Sequence, residues 1–381
     1  MVRILNRKLD DVTHMGSNPL CDSRLPRRQF LSGLGGLAAL AAGTAFPART
    51  LLAQATGANQ GRIDVHSHYA PPAWVSVVNA KRGHEFVGNA EFLNAFKDWT
   101  PAKSIEQMDQ AGIATSMVSI TTPGVWFGDN ESPVEATRQL SRQCNEYGAK
   151  IAADFPGRFG LFAVLPLPDV DGSLREIEYA LDTLKVDGFG LLSHYSETYG
   201  EKLLGDPAFA PAFEELNRRK AIVYVHRKIS SGPNEIFGWD VHRAMLSLLK
   251  AANSGNERGY SARFPDVRFI FCDAGGTMPF LIRRSTAPTE AAGVPAVGSE
   301  NALISEVRKF YFGTGRSNNA QTMAALKQIV PVSRILFGTD YPYAHVADEA
   351  RGLQDCGVFD ASELRDVFRE NALAMLPQYE S

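Results

Sequence analysis

Cysteine is scarce in this chain: 381 residues contain four, Cys21, Cys144, Cys272 and Cys356. They are scattered, so the sequence offers neither a disulfide framework nor a zinc site of paired thiolates. A hydrophobic core must hold the fold, and any metal must be held by histidines and carboxylates. Excess charge is missing too. The formal net charge is −3, with no basic stripe and no low-complexity tract, which excludes a nucleic-acid partner read from electrostatics. Membrane-length apolar runs are likewise wanting. The mildly apolar stretch from Gly33 to Ala45 falls short of the roughly 20 residues that span a hydrocarbon core, so no stable membrane anchor is expected. A hydrophobic share of 44% against 21% charged is instead that of a soluble globular enzyme.

That apolar stretch has another reading. Arg24-Leu25-Pro26-Arg27-Arg28-Gln29-Phe30-Leu31 precedes it, and Ala53-Gln54-Ala55 places small residues at alternate positions after it. A basic region, a short apolar region and an A-x-A site together form an export signal. The adjacent arginines followed by Gln-Phe-Leu are of the twin-arginine type, whose machinery moves folded proteins. Residues 1–55 are therefore expected to be an export segment cleaved after Ala55, and residues 56–381 a periplasmic domain.

From Arg62 onward, short β-branched runs alternate with longer amphipathic ones. Strands are expected at Ile63–His66, Thr115–Ile120, Phe159–Leu165, Gly188–Ser193, Ile222–His226, Val267–Cys272, Lys309–Phe312 and Arg334–Gly338. Helices are expected at Glu135–Phe155, Ser173–Lys185, Ala208–Lys220, Val241–Ala252, Ala320–Val330 and Val367–Leu376. The strands are continuous apolar runs, as parallel strands covered on both faces should be. Eight strand-helix units favour a closed (β/α)8 TIM barrel over a doubly wound open sheet. The open sheet would carry a Gly-rich phosphate loop after its first strand, where this chain has His-Ser-His. The long connection from 69 to 103, which contains Trp74 and Trp99, reads as a lid over one barrel face.

Polar residues gather at strand ends. His66 and His68 alternate onto one face of the first strand, His226 ends the fifth, and Asp340 follows the eighth. Barrel enzymes place their chemistry on that C-terminal face. Imidazoles plus a carboxylate suit Zn²⁺ or a similar divalent ion. Each residue alone has a structural explanation, Asp340 as a turn former before Pro342 among them. Their joint placement on strands one, five and eight points to a site.

Three stretches carry a family resemblance: Asp64-Val65-His66-Ser67-His68, Val223-Tyr224-Val225-His226 and Phe337-Gly338-Thr339-Asp340-Tyr341-Pro342. They resemble the amidohydrolase superfamily, and more narrowly its branch with aminocarboxymuconate-semialdehyde decarboxylase and 6-methylsalicylate decarboxylase. The stretch Gly205 to His226 is similar to the salicylate-type enzymes in particular. The resemblance runs from about Arg62 to the C-terminus. It implies one divalent metal ion, most often zinc with manganese the alternative, at His66, His68, His226 and Asp340. It also implies a small carboxylic acid substrate and pairing of two copies as a homodimer. The chain departs from the pattern at three places: Asp273 stands where relatives have a proton-handling His, Gly313 where an acidic residue is frequent, and Arg227 where Pro is.

Asp273 is thus the candidate catalytic residue, with four readings. It could donate the proton in a non-oxidative decarboxylation of an aromatic acid, if burial or negative neighbours raise its pKa. It could act as a general base in hydrolysis of an ester, amide or lactone. It could join the metal ligands, or merely cap a helix starting near Met278, leaving a catalytically silent binding protein. The leading expectation is the decarboxylase, and the hydrolase is the runner-up. His194, Arg227, Arg284, Arg316 and Trp74 are candidate substrate contacts, the arginines because a guanidinium holds a carboxylate bidentately. His84, His242 and His345 are expected to be solvated.

Overall fold

A computed structural model of the chain describes residues 61–81, 94–128, 132–195, 202–228, 239–249, 259–282 and 300–380. The expected export segment, the middle of the expected lid, His84 and Arg284 lie outside the described residues. All described residues fall in the compact unit Leu52–Ser381. No helix among them is long and apolar enough to cross a membrane.

Eight parallel strands follow one another around the fold in sequence order. They are β1 (Arg62–His68), β2 (Ile113–Ser119), β3 (Phe159–Val164), β4 (Gly188–Leu192), β5 (Ile222–His226), β6 (Arg268–Phe271), β7 (Tyr311–Gly313) and β8 (Ile335–Leu336). The seam between last and first closes through Val65 N–H donating to Phe337 O (2.9 Å) and His68 N–H to Tyr341 O (2.8 Å). This is the expected (β/α)8 barrel. Nearly every strand residue is buried, which explains the unbroken apolar runs: the outer face meets helices and the inner face fills the barrel. Inside, Phe162 stacks on Tyr224 with centroids 5.6 Å apart.

Two glycines keep room for the barrel's polar residues. A Cβ on Gly338 would stand 2.8 Å from His66 Cβ, and one on Gly315 would stand 2.7 Å from His66 Nδ1. Larger residues there would drive the His66 ring out of place.

The lid reading does not describe what surrounds Trp74. Trp74 is fully buried on the helix Pro72–Ala80, and its indole N–H donates to Gly124 O at 2.8 Å. Its ring meets Phe96 edge-on, Phe96 meets Tyr343, and only Tyr343 reaches His68, at 5.8 Å. Trp74 is a core side chain behind two aromatic rings, so its assignment as a substrate contact is corrected. An indole this large gains more from burial than it would from an exposed loop.

His242 needs correction as well. It lies on the inner face of the helix Trp239–Leu249, fully buried, with Nδ1 3.1 Å from Thr277 Oγ1. Burial lowers its pKa from 6.5 to about 4. A group depressed on folding contributes stability that is complete above pH 6.5 and is lost as pH falls towards 4. At about 1.36 kcal/mol per pKa unit, the contribution is on the order of 3 kcal/mol. The melting temperature is therefore expected to drop between pH 7 and pH 4.5, and His242→Gln should flatten part of that slope. An unchanged slope in the variant would assign the acid sensitivity elsewhere. His345, by contrast, is exposed as expected.

Candidate metal centre

The end of β1 is level with that of β2, and the end of β4 with that of β5, because Ser119 pairs with His68 and Leu192 with His226. His66 and His68 project from one face of β1, and His226 projects from the end of β5. Asp340 arrives from the irregular segment after β8, where its backbone takes the left-handed conformation (φ 61°). That conformation is uncommon for a residue with a side chain, though Asp and Asn tolerate it best. Leaving the strand early is what turns the Asp340 carboxylate inward.

One donor atom from each of His66, His68, His226 and Asp340 lies within 4.8 Å of the others, and all four residues are buried. Asp340 Oδ1 is 3.1 Å from Nε2 of both His66 and His68. The three imidazoles meet edge to face, with centroids 4.6 to 5.2 Å apart. Two of them are oriented from behind. His68 Nδ1 is 3.2 Å from Ser119 O, and His226 Nδ1 is 2.7 Å from Arg227 O. A carbonyl can only accept, so each Nδ1 carries the hydrogen and each Nε2 presents a lone pair to the centre.

The donor atoms at the centre have little to bond among the residues around them. Nδ1 of His66, Nε2 of His226 and Oδ2 of Asp340 are buried without a hydrogen-bond partner, and His66 Nε2 has the 3.1 Å contact with Asp340 Oδ1 but not the alignment of a hydrogen bond. A buried polar group left so costs about 1–3 kcal/mol. Three imidazoles and a carboxylate converging on one point recover that cost together when they share a divalent cation. The residues present fit one metal ion.

Charge is balanced accordingly. Burial holds His68 below the usual histidine range, and His226 falls well below it through burial and its two histidine neighbours. Burial opposes charge on His66 as well, but Asp340, Asp273 and Asp64 outweigh it and leave its pKa raised. Asp340, despite its burial, is held well below the carboxylate range by His66 and His68.

Asp273 stands beside this group. It follows β6 in a left-handed backbone (φ 52°), with Oδ1 3.9 Å from His66 Nδ1 and Oδ2 3.6 Å from Arg227 Nε. Neither oxygen has a hydrogen-bond partner. Burial raises its pKa; His66 and Arg227 oppose the rise and Asp340 adds to it. The helix-cap reading fails. The short helix Met278–Leu281 begins after Thr277 with no side-chain cap, and the Asp273 carboxylate points at His66 and Arg227.

Of the proposed substrate contacts, the structure brings two arginines to the centre. Arg227 is buried, with Nη2 4.0 Å from Asp340 Oδ2, and the partly exposed Arg316 has Nε 3.9 Å from the same oxygen. His194 belongs to a neighbouring buried cluster. Its Nδ1 is 3.2 Å from Ser193 Oγ, which donates to Asp240 Oδ2 at 2.7 Å. Burial and the nearby Lys228 and Arg243 charges lower the His194 pKa to about 3, so it is a neutral imidazole.

Sequence reasoning gave no role to two inward-facing residues. Tyr224, two positions before His226, lies fully buried with its ring 5.3 Å from His66. Asp64, two positions before His66, is buried with hydrogen bonds from both sides of the barrel seam. Period-two spacing from the histidines was the available sign of both.

Comparison with known proteins gives a consistent result. The family model described as Amidohydrolase matches residues 63–378. The chain is 31% identical over 339 residues to the decarboxylase macB of Penicillium terrestre, covering 84% of this chain and 95% of that protein. It is 31% identical over 294 residues to the 6-methylsalicylic acid decarboxylase of Penicillium expansum, covering 74% and 85%. Among solved structures, a dihydroxybenzoic acid decarboxylase from Polaromonas sp., with bound manganese and the inhibitor 2-nitroresorcinol, superposes with a TM-score of 0.69. That structure is 19% identical, and the match covers 84% of this chain and 97% of the other.

Proposed function

The chain belongs to the amidohydrolase family, and from that premise we propose that it is a metal-dependent carboxy-lyase, removing CO2 non-oxidatively from a small aromatic acid. One observation carries the reading: three buried histidines and Asp340 converge with unsatisfied donor atoms, flanked by a buried carboxyl and two guanidinium groups. Decarboxylases among the relatives favour this over hydrolysis on the same scaffold. A 6-methylsalicylate-like acid, with a hydroxyl next to its carboxylate, is the substrate class that the second relative suggests.

His66, His68, His226 and Asp340 would hold the ion, which would supply Lewis acidity and a positive charge for an anionic substrate. Zinc is our assignment from the imidazole-rich donor set; the manganese in the structural relative is the alternative. Arg227 and Arg316 place positive charge beside Asp340 and draw the substrate anion in. Asp273 holds a proton on its carboxyl and delivers it to the ring carbon that bears the carboxylate. The bond to the carboxylate carbon then breaks, its electron pair restores the aromatic ring, and CO2 leaves. Solvent returns the proton to Asp273. Burial keeps water from competing for that proton and favours the neutral carboxyl, while Arg227 fixes its direction.

The test is metal content by plasma mass spectrometry on protein purified without added metal, followed by turnover of salicylate-type acids. About one divalent ion per chain and release of CO2 without uptake of solvent oxygen are expected. A chain that neither carries nor takes up metal would overturn the reading. Solvent oxygen in the product would replace it with a hydrolase.

A further inference from the structure

We propose that Asp64 is a positioning residue for the metal centre, acting through Thr339 to set the carboxylate of Asp340 against the histidines. The inference rests on the reading of the four residues as ligands. Asp64 shares the inward face of β1 with His66 and His68. Its Oδ1 accepts the backbone N–H of His66 at 2.9 Å and of Thr339 at 3.1 Å. Its Oδ2 accepts the Thr339 hydroxyl at 2.6 Å and the Ser116 hydroxyl at 3.4 Å. One carboxylate therefore holds the backbone of one ligand and both donors of the residue just before another.

The placement has a physical reason. β8 is only two residues long and pairs with β7 only over those residues, so the Asp340 turn lacks a strand neighbour on that side and is held to β1 by the single bridge between Ser67 and Tyr341. The segment must then hold a left-handed turn with little regular structure behind it. Asp340 N–H donates to His66 O at 2.7 Å, and Tyr341 N–H donates to Thr339 Oγ1 at 3.2 Å. His66 O also lies 3.3 Å from Thr339 N and 3.4 Å from its Oγ1, and Asp64 adds the shorter contacts to both the amide and the hydroxyl of Thr339. A buried carboxylate is a costly way to fill space that an apolar residue would fill well. Donors on both sides offset that cost, and they fix the relative position of β1 and the Asp340 turn.

Metal affinity reports on this independently of turnover. In Asp64→Asn the amide oxygen still accepts the two backbone N–H donors, which retains the fold, but its NH2 then faces the Thr339 hydroxyl, which already accepts from Tyr341 N–H, so that hydroxyl loses its acceptor. The dissociation constant for zinc, measured by competition with a chromophoric chelator, is expected to rise about 10- to 100-fold, the usual consequence of losing an outer partner of a ligand. Thr339→Val should weaken zinc binding similarly, Thr339→Ser should keep it near the parent value, and the two weakening changes combined should fall short of additive. Thr339→Val also decides the matter should Asp64→Asn fail to fold. Both variants binding zinc like the parent, with only a lowered melting temperature of the metal-free protein, would make Asp64 a strut of the barrel and overturn the inference. A parent chain that takes up no metal would instead overturn the ligand reading beneath it.

Discussion

Replacing His226 with alanine is expected to lower decarboxylation by about 10³-fold or more and to leave the purified protein without stoichiometric metal. His226 is the ligand contributed from across the barrel; His66 and His68 share β1, and Asp340 is bonded to it through His66 O. Without His226 the remaining donors all come from β1 and the turn bonded to it, and a divalent ion would lose one of its four protein ligands. Lewis acidity of several kcal/mol then disappears from the reaction, and each 1.36 kcal/mol is a factor of ten in rate. The barrel itself should persist, because the backbone of His226 keeps its pairing with β4. Metal analysis and kcat/KM on the same preparation check this. Full activity without metal would remove the ion from the mechanism altogether.

Asp273→Asn is expected to lower kcat by about 10² to 10⁴, the range associated with loss of a positioned proton donor, while metal content stays at the parent level. The amide has almost the same shape as the carboxyl and cannot release a proton to carbon. The pH dependence follows from the role. A donor works only while protonated, so the parent rate falls as pH rises through the pKa of Asp273. Burial moves that limb upward, with His66 and Arg227 opposing, and the limb is absent in the variant. Loss of metal instead of rate would give Asp273 a different duty, orienting His66 through Nδ1 at 3.9 Å. Asp273→His separates the remaining readings. Turnover in that variant equal to or below an active parent keeps the natural Asp as the donor. Activity gained only with the histidine would mean that the natural residue had abandoned the chemistry.

The elements that sequence placed best are those fixed by local pattern. The fifth strand runs over Ile222–His226 as expected, because its apolar run is bounded by the turn at Arg219-Lys220 and a polar end. The eighth was expected to extend to Gly338 and stops at Leu336. Its last residues turn away to meet Asp64 and His66, contacts that no periodicity records. The helix expected over Ser173–Lys185 continues only to Tyr179 in regular form and ends in a widened turn over Ala180–Leu184, before Lys185 at φ 58°. The expected closing helix, Val367–Leu376, is likewise divided by a widened turn over Asp366–Glu370. In both cases the i→i+4 pattern was present, but packing shifted the hydrogen bonds by one residue.

What the sequence determined by itself was the alternation of strand and helix, and with it the barrel, and the residue types able to hold a metal at strand ends. These are local properties: each histidine sits beside the strand that carries it, and a period of two decides its face. Only the tertiary structure decided which polar groups meet. Asp64 and Thr339 are 275 positions apart, and Arg227 reaches Asp273 from the neighbouring strand. Trp74 and His242, with the same composition cues as surface residues, were drawn into the core instead. Hydrogen bonds and screened charges act over a few ångströms. Closure of β8 onto β1 brings Asp64 and Thr339 within that range, and side-by-side packing of β5 and β6 does the same for Arg227 and Asp273.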